Sequence, residues 1–143
     1  MIWTIIGLIA LGLLMGIGWR LSVTVRANRH VWGRPVLDEE SFAAQYFPAE
    51  QRAIAITLRR LLAHYVPVNV GRILPSDRLA EDLGLAARFS RGLDIVAFAE
   101  DLEVEFHIEF EEADYFELKT LRDVVGLVER KRREQALQLE ERT

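Results

Sequence analysis

A stretch of eighteen residues without a charged side chain, Ile2 to Trp19, constrains this chain more than any other feature. As a helix it is ~27 Å long at ~1.5 Å per residue, enough to cross the hydrocarbon core of a bilayer. Tryptophans at positions 3 and 19 bracket it, as aromatic residues do at membrane interfaces. It lacks the basic start and the small-residue cleavage site of a secretory signal peptide. Residues 1–20 are therefore predicted to be an uncleaved transmembrane anchor rather than a buried hydrophobic helix.

The charges that follow the anchor predict its orientation. Four arginines come before the first acidic residue: Arg20, Arg26, Arg29 and Arg34. Because arginine is retained on the cytoplasmic side of membrane helices, we expect a single-pass protein with its N-terminus outside and its remaining chain in the cytoplasm. The same arginines are suited to anionic lipid headgroups, or they serve as a topology signal only.

Two further features concern the anchor and its surroundings. Gly12 and Gly16 form a GxxxG motif through which two membrane helices can pack closely, although one such motif is a weak signal. Residues 21–47 are predicted to be a juxtamembrane connector, with a break at Gly33 and Pro35 and a short helix starting at Asp38.

The remaining chain has the pattern of a small helical domain. The length of 143 residues leaves room for one, and the absence of cysteine excludes disulfides and thiolate chemistry. A first helix begins near Pro48, with Arg52, Arg59 and Arg60 assigned to its polar side. Its apolar face is formed by Ile54, Leu58, Leu61, Leu62 and Tyr65. A loop follows that apolar residues are expected to pin to the domain, with Ser76 capping a short turn.

Two more main helices complete the prediction. One starts at Ser90 as N-cap and buries Leu93, Val96, Ala99, Leu102 and Phe106. The other starts at Thr120, which forms a capping-box-like pair with Asp123. The fold class is therefore all-α: one transmembrane helix followed by a small bundle of three main helices and one short helix. The helical domain spans 48–130, and 131–143 form a charged helical tail.

From Pro48 to Lys131 the sequence resembles the acyl carrier protein family. The resemblance is carried by the first amphipathic helix with its apolar-pinned loop and by three segments that follow in order: Leu79-Ala80-Glu81-Asp82-Leu83-Gly84, Leu93 through Phe110, and Lys119 through Val125. It implies a right-handed bundle whose short helix lies near Ala113 to Phe116. In that family a serine at the start of the second main helix carries 4′-phosphopantetheine.

The carrier serine is where the sequence departs from the family. Aligning Leu93 puts Gly92 at the serine position and Arg91 at the preceding aspartate, and the segment after Gly84 is about five residues longer than the family pattern. Ser90 is the nearest hydroxyl, and a phosphodiester there would lie near a helix N-terminus. It is better explained by a role as helix cap. We therefore expect no cofactor, with phosphopantetheine on Ser90 as the alternative.

An acidic run without a lysine or arginine extends from Glu100 to Glu117. Such a run is either an ordinary solvated surface or a docking surface for a basic partner, and the family resemblance favours docking. The predicted docking residues are Glu100, Asp101, Glu103, Glu105, Glu109 and Glu111. Nucleic acid is not expected as a partner, because its phosphates would be repelled.

No arrangement of residues indicates catalysis or a resident metal. The phosphate-binding loop and nucleophile-elbow motifs are missing, and Glu105, His107 and Glu109 would be scattered by a helix exit. The sequence thus predicts a membrane-anchored, non-enzymatic docking module that binds a basic surface on a membrane-associated complex. The alternatives are a working carrier in lipid or envelope assembly, and an accessory subunit whose main contact is the membrane helix itself.

Overall fold

A computed structural model describes residues 2–85 and 93–141, and within these ranges the protein is all-α, as predicted. Five α-helices occur within these two ranges, in the order α1 (Ile2–Val31), α2 (Glu39–Tyr46), α3 (Ala49–Leu62), α4 (Leu93–Phe106) and α5 (Leu121–Glu141). The described residues also include the 3₁₀ helices Val70–Arg72, which lies before α4, and Glu112–Glu117, which lies before α5. The second of these is the short helix expected near Ala113 to Phe116.

Helix α1 joins the apolar N-terminal segment directly to the helical domain. Its stretch from Thr4 to Val31 is long and apolar enough to cross a membrane by length and composition. The helix runs through the expected connector as far as Val31, and Gly33 breaks it with a φ of 82°. Ala27 and Val31 are buried in the core of the domain. The last turns of α1 are therefore part of the domain, and α1 is not attached to it by a flexible linker.

Helices α3, α4 and α5 supply about half of the core, and α1, α2 and the loops supply the rest. The predicted apolar face of α3 is confirmed, because Ile54, Leu58 and Leu62 are buried. The apolar face of α5 is confirmed in the same way by its buried residues Leu121, Val124, Val125 and Val128. Thr120 and Asp123 form the expected reciprocal cap, in which the Thr120 N–H donates to Asp123 Oδ2 at 3.1 Å and the Asp123 N–H donates to Thr120 Oγ1 at 3.2 Å.

The predicted buried side of α4 is only partly right. Ala99 and Leu102 are buried, but Val96 is exposed, and the fully buried aromatic ring belongs to Phe98. Steps of three residues fall behind the helical repeat by about 60° each, so a face chosen at a constant spacing of three drifts around the helix. Counting back from the buried Leu102 by four and then three residues reaches Phe98 and Ile95 and leaves Val96 outside.

The long loop between α3 and α4 is pinned as expected. Val68, Ile73 and Leu79 are buried, and the Leu79 N–H donates to the Lys119 carbonyl at 2.8 Å. Gly84 has a φ of 74°, and a Cβ there would lie 3.2 Å from Val23 Cγ1, so the loop passes close against α1 where a side chain would be strained.

Candidate functional site

The acidic run divides into carboxylates that the fold itself uses and carboxylates that remain exposed. Three of the six predicted docking residues belong to the first group. Asp101 accepts a hydrogen bond from the Tyr65 hydroxyl. His107 ends α4 with a left-handed φ of 54°, and beyond it the Phe110 N–H donates to Glu103 Oε1 at 2.5 Å. The side chain of Glu111 takes part in the capping box of the 3₁₀ helix Glu112–Glu117.

Helix α5 neutralises another part of the run. Asp114 is buried and lies 2.6 Å from Lys131 Nζ, while Arg130 Nη2 lies 2.9 Å from Glu117 Oε2. Burial alone would raise the pKa of Asp114, but hydrogen bonds from Lys131 and from the Glu111 N–H outweigh it and leave that pKa lowered. The Asp114 carboxylate is therefore ionised, and its ion pair with Lys131 stabilises the packing of the 3₁₀ helix on α5.

The other three predicted residues form what we call the α4 acidic surface: Glu100, Glu105 and Glu109. All three are exposed, and none has a hydrogen-bond or ion-pair partner among the described residues. Val104 lies between them with 73% of its surface exposed. On α4 the exposed residues Val96, Glu100 and Val104 follow one another at intervals of four, so they lie on one face. This surface therefore offers apolar contacts flanked by negative charge.

The pKa of Tyr65, which lies beside this surface, is changed by burial and by neighbouring negative charge. Burial, together with the hydrogen bond to Asp101, raises the pKa of Tyr65 to about 12. Its hydroxyl also donates to the Ala97 carbonyl at 3.2 Å. Tyr65 thus ties the end of α3 to α4 and holds Asp101 against the domain.

A second group of charged side chains lies between α1, α3 and the loop after α3, and it was not predicted from the sequence. We call this group the polar joint, and it consists of His30, Arg34, Arg59 and Asp77. Asp77 is buried, and its Oδ2 lies 2.6 Å from Arg34 Nη1 and accepts the Leu74 N–H at 2.8 Å. Its Oδ1 lies 3.0 Å from His30 Nε2. Burial would raise the pKa of Asp77, but the hydrogen bonds from Arg34, Leu74 and His30 together lower it.

Asp77 takes the role that the sequence assigned to Ser76. Ser76 is exposed and makes no side-chain hydrogen bond with any residue in the described ranges, whereas Asp77 holds the turn at Leu74 and fastens it to α1. The position of Asp77 two residues after Pro75 could have suggested a turn-capping aspartate. Its ion-pair partners could not have been predicted, because His30 and Arg34 are more than forty residues away in sequence.

Arg59 was assigned to the polar side of α3, and this was wrong, because it is only 2% exposed. Its guanidinium donates to the carbonyls of Val70 at 2.8 Å, Leu37 at 2.9 Å and Asp38 at 3.1 Å. The Arg59 Cζ also lies 4.2 Å from the centre of the Phe42 ring. Arg59 therefore joins the segment between α1 and α2 to the loop after α3.

Two residues of the polar joint, His30 and Asp77, form with the neighbouring Asp82 the one group of described side chains with metal-ligand spacing, and their ligand atoms lie within 4.8 Å of one another. Arg34 already contacts two of the three: its Nη1 lies 2.6 Å from Asp77, and its Nη2 lies 3.1 Å from His30 Nε2. A guanidinium in that position supplies the positive charge that a cation would bring. The arrangement is explained as an ion-pair network.

The remaining predicted site residues lie elsewhere. Gly12 and Gly16 face a shallow groove on α1 lined also by Ile9, Leu13 and Ile17, and a Cβ at either glycine would meet nothing described within 4 Å. Their packing against a second helix stays a prediction. Ser90, Arg91 and Gly92 lie outside the described residues, so the question of a phosphopantetheine on Ser90 also stays a prediction.

No protein family profile matches this chain, and no solved structure is significantly similar to it. The resemblance to acyl carrier proteins therefore stays a prediction from the sequence.

Proposed function

We propose that this protein is a membrane-anchored, non-enzymatic docking module with an acyl-carrier-protein-like domain. Helix α1 anchors it as a single pass with the N-terminus outside, and the α4 acidic surface binds a basic surface on a membrane-associated complex in the cytoplasm. The observation that carries the proposal is the contrast within the acidic run. Glu100, Glu105 and Glu109 keep their charge exposed, whereas their neighbours are engaged within the fold.

The chemistry of the α4 acidic surface supports docking in two ways. Exposed carboxylates accelerate encounter with a basic partner through long-range attraction, which salt screens over about 8–10 Å. Val96 and Val104 add apolar area that is removed from water when a partner covers them. A surface of this kind predicts an association that weakens as ionic strength rises.

The connection between α1 and the domain supports a role beside other membrane proteins. Because α1 is a continuous helix whose end is buried in the core, the domain is held near the bilayer surface. Confinement of this kind raises the effective concentration of the docking surface toward a partner in the same membrane.

The proposal is tested by reversing charge at the exposed carboxylates only. Full-length protein with Glu100→Lys and Glu105→Lys is expressed beside a control with Glu140→Lys and Glu141→Lys, which changes the net charge equally on the α5 tail. Partners are cross-linked in membranes, purified and quantified at low and high salt. We expect the first variant to lose the salt-sensitive partner and the control to retain it, with the helical content of both unchanged.

Three outcomes would contradict the proposal. Equal, salt-insensitive recovery by both variants would make the membrane helix the real contact. A reporter fused after Thr143 that is active only outside the cytoplasm would overturn the orientation. A phosphopantetheine-sized mass increment after co-expression with a phosphopantetheinyl transferase, absent in Ser90→Ala, would make the protein a working carrier.

A further inference from the structure

A groove of about 470 Å³ lies beside the end of α1 and is separate from the α4 acidic surface. Its walls come from the last two turns of α1 with the residue that follows, and from the loop that contains the first 3₁₀ helix. They include two guanidinium groups, two carboxamides, an indole and an aliphatic side chain: Arg29, Arg72, Asn28, Asn69, Trp32 and Val25. This combination of positive charge, hydrogen-bond donors and apolar surface suits a phosphate ester with an attached apolar group.

The positive charges of the groove are not used by the fold. The guanidinium groups of Arg29 and Arg72 have no hydrogen-bond or ion-pair partner among the described residues, and no described carboxylate lines the groove. The neighbouring Arg34, by contrast, is held by Asp77. Two unneutralised arginines in one concave site favour an anionic ligand.

The apolar part of the groove continues from the membrane segment. Trp32 is 83% exposed, and on the same side of α1 Leu21 and Val25 are also exposed, at 61% and 52%. Leu21 and Val25 are four residues apart on α1 and therefore lie within about 40° of one another around its axis, and Trp32, directly after the helix, lines the same groove as Val25. Exposed tryptophan beside arginine is the composition found at the interface between lipid and water.

The helix brings the start of this stripe to the height of the lipid headgroups, because Leu21 is ~3 Å and Val25 ~9 Å beyond Trp19 along the axis. Val23 is the first residue of α1 that the domain partly covers, four residues or ~6 Å beyond Trp19. The headgroup layer is about 5–8 Å thick on each side, so the domain lies against it. Trp32 is ~20 Å beyond Trp19, and a tilt of α1 at the upper end of the usual range, ~40°, lowers that height to ~15 Å, from which side chains on the lower face of the tilted helix extend toward the headgroups.

We infer that this groove binds the phosphate of an anionic phospholipid headgroup, with Arg29 and Arg72 contacting the phosphate and Trp32 lying at the lipid interface. This contact sets the tilt of α1 and thereby the direction in which the α4 acidic surface faces. The inference rests on the proposed membrane insertion of α1. A lipid is favoured over a soluble phosphate because the exposed apolar stripe is continuous with the membrane segment.

The experiment places a single tryptophan at the groove. Full-length protein carrying Trp3→Phe and Trp19→Phe, so that Trp32 is the single tryptophan, is reconstituted in phosphatidylcholine vesicles and in vesicles of equal parts phosphatidylcholine and phosphatidylglycerol. Quenching by a headgroup nitroxide lipid is compared between this protein, a variant with Arg29→Gln and Arg72→Gln, and a charge-matched control with Arg132→Gln and Arg133→Gln on α5.

We expect Trp32 quenching to be stronger in the anionic vesicles, lost in the groove variant and kept in the tail control. Each arginine should contribute about a fivefold preference for anionic over neutral lipid. Quenching that is independent of lipid charge and of Arg29 and Arg72 would overturn the inference. If soluble glycerol phosphate abolishes the quenching of Trp32, the groove binds a free phosphate instead of a lipid. If the quenching is lost when the protein is diluted with more lipid, the groove is occupied by a second copy of the protein.

Failure of the inference is distinguishable from failure of the proposed function. A Trp19-only variant with Trp3→Phe and Trp32→Phe reports insertion of α1 through quenching by acyl-chain labels, independently of the groove. If α1 inserts and the protein still captures its partner, but the quenching of Trp32 is the same in neutral and anionic vesicles, only the assignment of the groove is overturned. If Trp19 is not quenched, the anchor and the lipid contact are both overturned.

Discussion

The polar joint and the α4 acidic surface are both charged, but the fold uses their charge differently. In the polar joint, Arg59 and Asp77 are buried. Each buried polar atom of these two side chains has a hydrogen-bond partner. On the α4 acidic surface, Glu100 and Glu105 are exposed without a partner in the described part of the chain. The comparison teaches that a run of charge in a sequence does not show which charges remain available to a partner.

The physical reason is the different cost of removing these groups. Removing a buried charged group leaves its buried partners without hydrogen bonds, which costs stability. An exposed carboxylate is hydrated by water in both the folded and the unfolded protein, so removing it changes stability little. Substitutions in the polar joint should therefore act on stability, and substitutions on the α4 acidic surface should act on binding.

Replacing Arg59 is expected to have the largest effect. Arg59→Met keeps the aliphatic part of the side chain but removes the donors for the carbonyls of Leu37, Asp38 and Val70. We expect the free energy of unfolding to fall by about 3 kcal/mol, measured by urea denaturation of the full chain in detergent. Arg60→Met is the matched control and should cost under ~0.5 kcal/mol, because Arg60 pairs with Glu39 at the surface. Equal losses in the two variants would refute the difference between buried and exposed arginine.

Replacing Asp77 should have a smaller effect that depends on pH. Asp77→Asn removes the negative partner of Arg34 and His30 and should lower the free energy of unfolding by about 2 kcal/mol near neutral pH. Because folding lowers the pKa of Asp77, its contribution is fully present above the unfolded pKa of about 3.9 and is lost as the pH falls through the lower folded value.

The measurement for Asp77 is denaturation at a series of pH values. The wild-type protein should lose stability below about pH 4, and Asp77→Asn should lose less over the same interval. Glu105→Gln on the α4 acidic surface serves as the control and should change the free energy of unfolding by under ~0.5 kcal/mol at neutral pH. A loss for Glu105→Gln as large as that for Asp77→Asn would remove the distinction between the two regions.

The smallest expected effect concerns Asp101, the acidic residue of α4 that bonds to Tyr65. Asp101→Asn should lower the pKa of Tyr65 from about 12, measured by ultraviolet titration of the phenol. Burial is the larger cause of the shift, so the pKa should stay above the ordinary value of about 10. Glu100→Gln is the control and should change it less. An unchanged Tyr65 pKa in Asp101→Asn would mean that Asp101 is as available to partners as Glu100.

Tyr65 also contributes a second pH dependence. Its folded pKa is raised, so the stability it provides is fully present below the unfolded pKa of about 10 and is lost as the pH rises toward 12. Unfolding at alkaline pH should therefore begin above about pH 10 and follow the ionisation of this phenol.

Features that depend on neighbours in the sequence were predictable. The charge-free segment of α1, the apolar face of α3 and the pairing of Thr120 with Asp123 each follow from residues a few positions apart. Helical periodicity and capping are local interactions, so the sequence alone determines an all-α chain with one helix suited to a membrane.

Only the tertiary structure decided which charges are internal. Arg59 meets carbonyls eleven to twenty-two positions away, Tyr65 reaches Asp101 thirty-six positions away, and His30 reaches Asp77 across forty-seven. A hydrophobic pattern assigns every arginine of α3 to the water side, because it contains no information about carbonyl groups on distant segments. Packing brought those acceptors together, and their need for donors drew Arg59 into the interior while the carboxylates of Glu100, Glu105 and Glu109 stayed outside.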